Sequence, residues 1–167
     1  MELARRLDLP FIELDALYWK ENWGRPSDEE FRELLRAAHT GDCWVSAGNY
    51  LRQARLVTWP LADTFVWLDV GMMTTTWRIL RRSWRRWRSN ELLWGTCREN
   101  LWRQFELWSE HRSLIRYNWS RQRAHREAFS AGARDAEAAG KRVLRLRSPR
   151  QVRELLERLP RASSTGP

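Results

Sequence analysis

Three short apolar runs set the frame: Cys43 to about Ala47, Thr64 to Leu68, and Arg142 to Leu146. Stretches of helical character stand between them, so consecutive strands cannot join by tight hairpins. That alternation argues for an α/β fold with a parallel sheet covered on both faces. A fourth run, FIELD from Phe11 to Asp15, reads as a strand ending on an acid. The helices announce themselves by their ends. Ser27 is an N-cap, Glu30 completes a capping box, and Phe31, Leu34, Leu35 and Ala38 form the apolar stripe before Gly41. Ser148 caps a last helix with Pro149 at its first position and Gln151 at its third; Val152, Leu155, Leu156 and Leu159 follow. At the other end Leu3, Ala4 and Leu7 share one face of a turn until Asp8, Leu9 and Pro10 break the pattern. The expected organisation is one domain over 1–160 and a disordered polar tail over 161–167.

Charge narrows the partners. The net charge is +9, and only Lys20 and Lys141 are lysines, so the excess is arginine. Such a balance implies an anionic partner, whether phosphates, nucleic acid or a lipid surface. Arginine suits planar, forked contacts to phosphate, and it equally fits a GC-rich genome. No run of about 18 apolar residues is present to make a transmembrane helix. Cys43 and Cys97, with His39, His111 and His125, are scattered unlike a metal site or a disulfide framework, so no protein-bound metal and a reducing cytoplasm are expected.

In parallel sheets ligands collect at the carboxyl ends of the strands. Asp15, the Gly48-Asn49-Tyr50 turn and Asp69 all sit at such ends, which makes them the candidate ligand residues. Taken singly, the two acids could cap the helices that follow, and Gly-Asn could be ordinary turn chemistry.

The segment TTTWRILRRSWRRWRSN is the most unusual. On a helix Trp77, Leu80, Trp84 and Trp87 fall within roughly 80° of one another. Arg78, Arg81, Arg82, Arg85, Arg86 and Arg88 fill most of the remainder, with no acid nearby to compensate them. The stretch reads as a solvated basic face over a Trp-filled core seam, or as a phosphate clamp over a nucleotide. An interfacial helix on anionic lipid and a nucleic-acid surface carry less weight. Downstream, Trp94, Leu101, Trp102, Phe105, Trp108, Leu114, Ile115 and Trp119 predict two or three further helices.

The order LDALYW, WVSAGNY, FVWLD, WRILRR, VLRLRSPRQV resembles the adenylate-kinase-like P-loop proteins of bacteria, nearest to those called topology modulation proteins or AAA-family ATPases. The resemblance runs from Met1 to about Leu159. It implies a three-layer parallel sheet of P-loop nucleoside-kinase type, strand order 2-3-1-4-5, with an Arg/Trp-rich helical lid over about 72–130. It also implies ATP-dependent phosphoryl transfer to a small molecule or nucleotide, with ATP and Mg2+ as cofactors. On that resemblance Asp15, Tyr18 and Trp19 shape the acceptor pocket, with Gly48, Asn49 and Tyr50 at its floor and Asp69 near it. Arg78, Arg81, Arg82 and Arg85 come down on the phosphoryl group, while Arg147, Ser148 and Pro149 lie beside the adenine.

Two departures qualify those expectations. In the family a strand and a G-x-x-x-x-G-K-S/T loop stand before a helix like ELARRL, whereas this sequence opens at that helix. The expectation is that the genome encodes the central strand and the loop in frame upstream, and that the chain as written binds Mg·ATP weakly or not at all. Second, the family's third strand commonly ends in Asp-Gly, and here Ser46-Ala47-Gly48 lacks the acid. The partners expected are therefore a nucleotide and a small phosphate acceptor, with nucleic acid possible and a membrane not expected. The alternative is a non-catalytic basic protein that binds nucleic acid or a protein partner.

Overall fold

The computed structural model describes residues 1–21, 24–89, 92–93, 97–98 and 114–159. It is a mixed α/β structure in which the strands form small two-stranded sheets. The chain divides into two compact units, Met1–Ala62 with the segment from Pro149 onward, and Asp63–Ser148.

Unit 1 begins with α1 (Glu2–Leu7), which closes on Asp8 in the left-handed conformation at φ 53°. Asp is one of the few residues to adopt that conformation readily. Next come β1 (Phe11–Glu13) and α2 (Leu14–Tyr18). The strand is shorter than FIELD suggests. Leu14 and Asp15 already belong to the helix, where an acid in the first turn faces the positive end of the helix dipole. In α3 (Asp28–Ala38) the expected capping box is complete: Ser27 Oγ accepts from the Glu30 N–H at 3.2 Å, and the Ser27 N–H donates to Glu30 Oε2 at 2.6 Å. These bonds, led by the Ser27 backbone N–H, hold the Glu30 carboxyl below its ordinary range. β2 (Val45–Ala47) pairs in parallel with β1, Phe11 opposite Val45 and Glu13 opposite Ala47. α4 (Leu51–Leu61) follows, and α7 (Pro149–Arg158) completes the unit with Pro149 at its first position. Arg6 ties α1 to α7 by donating from Nη1 to the Leu156 carbonyl at 2.6 Å.

The core of unit 1 is Leu14, Phe31, Leu35 and Val57, with Ile12, Leu17, Tyr18 and Tyr50 packed around it. The α3 stripe is narrower than its pattern: Phe31 and Leu35 are buried, while Leu34 reaches the surface. Gly48 has a packing role here. A Cβ at that position would lie 2.5 Å from Leu14 Cβ and 3.0 Å from Leu14 Cγ. The contact falls on the root of a buried side chain, which cannot swing aside. Gly48→Ala is therefore expected to cost about 1–2 kcal/mol through overpacking. Chemical denaturation followed by circular dichroism checks this, and an unchanged midpoint would show that α2 yields freely.

Unit 2 holds β3 (Thr64–Leu68) and β6 (Arg142–Leu146), a parallel pair in register from Thr64 opposite Arg142 to Leu68 opposite Leu146. Both strands span the residues read from the sequence. Their parallel pairing requires a long crossover, which carries α5 (Met72–Ser89), β4 (Leu92–Leu93), β5 (Cys97–Arg98) and α6 (Leu114–Ala138). β4 and β5 form an antiparallel pair where helix was expected. The remaining positions of that aromatic stretch before Leu114, including Trp94, Leu101, Trp102, Phe105 and Trp108, lie outside the described residues. α6 ends at Gly140 with φ 76°, whose N–H reaches the Glu137 carbonyl at 2.9 Å while Lys141 N–H reaches Ala136 at 3.0 Å. That left-handed closure suits glycine. Among the described residues no helix is long and apolar enough to cross a membrane.

Candidate functional site

In unit 1 the carboxyl ends of β1 and β2 deliver α2 and the Gly48-Asn49-Tyr50 turn to one place. Tyr50 donates its hydroxyl to Asp15 Oδ1 at 2.6 Å. Its ring lies 4.5 Å from that of Tyr18 and 5.0 Å from that of Phe31, centroid to centroid. Tyr18 also meets Phe31 at 5.0 Å and Trp19 at 5.2 Å, both edge-to-face. Arg25 lies over the Trp19 ring at 5.1 Å. The result is one carboxylate hydrogen-bonded to a phenol whose ring belongs to a cluster with Tyr18, Phe31 and Trp19, with a guanidinium over the outermost ring.

Burial, and then the bond to Asp15, push the Tyr50 phenol well above the ordinary tyrosine range. The geometry agrees with a hydroxyl that donates to Asp15. Beside it Asp28 receives Gln53 Nε2 at 2.5 Å and pairs with Arg52, which ties the start of α3 to α4.

Unit 2 collects charge at the end of β3. Asp69 Oδ2 accepts from Arg145 Nη2 at 2.5 Å and Nε at 2.9 Å, and from Arg126 Nη2 at 2.9 Å. Its carboxylate is only 8 % exposed. Burial alone would raise its pKa, but the two guanidinium partners outweigh that and hold it below the usual carboxylate range. The Arg145 guanidinium also lies 4.1 Å from the centre of the Trp67 ring, and Trp67 stacks on Phe129. The Asp69 backbone N–H continues the β ladder by donating to Leu146 at 2.8 Å.

The structure thus brings together Asp15, Tyr18, Trp19 and Tyr50, with Gly48 against the helix that carries Asp15. Asn49 is exposed in the turn. Asp69 lies in the other unit, committed to Arg126 and Arg145. Arg78, Arg81, Arg82 and Arg85 are exposed along α5. Arg147 and Ser148 close unit 2, and Pro149 opens α7 of unit 1.

One expectation fails. The Trp face of α5 is not a core seam: Ile79 and Ser83 are the buried residues, while Trp77, Trp84 and Trp87 are exposed. α5 packs on α6, where Trp119 Nε1–H donates to Thr76 Oγ1 at 3.1 Å, and this contact lies beside the indole stripe and does not cover it.

Sequence reading missed Phe31, Arg25, Arg126 and Arg145 as members of these clusters. The spacing of Phe31 marks it as a core residue alone, and the arginines carry no local signal that distinguishes them among so many others. In comparisons with known proteins, no family model, curated protein or solved structure matches the chain.

Proposed function

We propose that unit 1 binds a small-molecule or nucleotide acceptor at Asp15, and that the chain derives from ATP-dependent phosphotransferases of the adenylate-kinase-like P-loop type. The observation that carries this reading is the Tyr50–Asp15 bond beside its aromatic cluster, at the carboxyl ends of two parallel strands. A carboxylate held by a phenol accepts hydroxyl or amino donors from a ligand, and the half-buried Tyr18 and Trp19 rings offer stacking for a flat one. Strand pairing supports it further. β1 with β2 and β3 with β6 are parallel pairs, as the neighbours 2-3 and 4-5 of the order 2-3-1-4-5 are.

The residues fit phosphate better than metal. α5 carries six arginines and no acid, and Arg78, Arg81, Arg82 and Arg85 are the proposed phosphoryl clamp. ATP bound there would supply the transferable phosphoryl group, and forked guanidinium groups would position it and neutralise its charge. Arg147, Ser148 and Pro149 keep their proposed place beside adenine on resemblance alone. Magnesium does not fit the acids present. Asp15 orients Tyr50, Asp69 is shared by two guanidinium groups, and β2 ends on Val45-Ser46-Ala47 without a carboxylate. No step is routed through it.

A panel of nucleoside monophosphates titrated against the whole chain, read by tryptophan fluorescence, tests the acceptor site. Asp15→Asn and Tyr50→Phe are each expected to weaken the tightest ligand about tenfold, the usual effect of losing a charge-assisted hydrogen bond. Equal affinity in both variants would remove Asp15 from the site. The second reading, a non-catalytic basic binding protein, is favoured by the exposed arginines of α5; its affinity for nucleic acid would fall steeply with salt.

A further inference from the structure

We infer that α5 is an interfacial helix whose tryptophan stripe inserts into an anionic membrane surface. The arrangement around the helix axis carries the argument. Met72, Thr76, Ile79 and Ser83 face the protein, and Ser83 is fully buried. The adjoining arc, about 80° wide, holds Met73, Trp77, Leu80, Trp84 and Trp87. Met73 is 78 % exposed, Trp77 66 %, Trp84 52 % and Trp87 50 %. Beyond that arc Arg88, Arg81, Arg85, Arg78 and Arg82 occupy roughly the next 120°. Trp119 of α6 is 49 % exposed and donates its Nε1–H to Thr76 Oγ1 at 3.1 Å, which extends the apolar stripe onto the neighbouring helix.

Large exposed apolar patches mark interaction surfaces, and the chemistry of this one selects the occupant. Indole suits the water–acyl boundary, where its ring is buried and its N–H stays wet. Arginine beside it meets lipid phosphate. Arg88 lies over the Trp84 ring at 5.7 Å, so its charge is already placed at the edge of the stripe. A basic helix with low net hydrophobicity and a Trp-rich face is the composition that lies in the headgroup plane. Nucleic acid fits less well. It would stack on indoles and pair with arginines, but it offers no aliphatic phase for Met73 and Leu80. The net charge of +9 attracts the whole chain to such a surface. A membrane role for α5 replaces the clamp role proposed for its arginines but leaves the Asp15 acceptor site untouched, so the vesicle experiment and the nucleotide titration at Asp15 fail separately.

Sedimentation with vesicles tests the inference on the full chain. It should bind phosphatidylcholine vesicles containing phosphatidylglycerol, and brominated acyl chains should quench its tryptophan emission. Phosphatidylcholine alone should bind it far less, because each surface arginine contributes about fivefold in partition to anionic lipid. Trp77→Ser with Trp84→Ser should lower partition at least about tenfold while leaving the circular dichroism spectrum unchanged. The quenching measurement needs no variant and stands even if that pair of substitutions disturbs folding. Absence of quenching, equal binding by the double variant, or tight binding to a single-stranded oligonucleotide with none to anionic vesicles would each overturn it.

Discussion

Phe31→Ala is expected to destabilise unit 1 by about 3–5 kcal/mol, the cost of emptying a large aromatic site in a core that cannot collapse around it. Phe31 is 1 % exposed and sits among Leu14, Leu35 and Val57. It also has a second duty. Its ring lies 5.0 Å from both Tyr18 and Tyr50, so the cluster that positions the Tyr50–Asp15 bond rests on it. The variant should therefore lose ligand binding at Asp15 together with stability, whereas Asp15→Asn should lose binding alone. Urea denaturation followed by circular dichroism measures the first effect, and Phe31→Leu should recover most of it by refilling the volume. A loss below about 1 kcal/mol would mean that the core repacks freely, contrary to close-packed interiors.

Asp69→Asn is expected to cost unit 2 about 2–3 kcal/mol. Removing one partner of a fully buried pair costs about 3–5 kcal/mol, and the figure is discounted here because Arg126 and Arg145 are 56 % and 33 % exposed. Two guanidinium groups would be left converging on a neutral amide. The pH dependence has a definite sign. The Asp69 carboxyl has a folded-state pKa below its ordinary value of 3.8. Its contribution is fully present above that value and is lost as pH falls through the depressed one. The gap between wild type and variant should thus be constant near neutrality and should close in acid, below about pH 4. A gap that persists unchanged at the acid end would assign the effect to packing against Trp67 and not to charge.

Much of the local architecture was legible in the residues. Thr64–Leu68 and Arg142–Leu146 are strands over the spans their β-branched and apolar residues suggest, and Ser27 and Glu30 form the capping box their spacing announces. These are short-range signals, decided by a residue and its neighbours within a turn or a pleat. Strand ends were less legible: Asp15 moved from the end of a strand into the first turn of α2, because nothing in FIELD distinguishes the last extended residue from a first helical one. Leu92–Leu93 and Cys97–Arg98 became strands where apolar spacing suggested helix, an ambiguity that short runs always carry.

The candidate site divides in the same way. Asp15 and Tyr50 were candidates from their place after predicted strands; that they bond each other across 35 residues required the parallel pairing of β1 with β2. Asp69 found its partners 57 and 76 residues away, and no local pattern selects two arginines among so many. For α5 the sequence by itself determined a helix with an apolar stripe beside a cationic one. Only the tertiary structure decided which side of the helix is buried. Ser83 and Ile79 are buried and the indoles lie at the surface, because periodicity states which residues share a face, while tertiary packing chooses the face that is buried.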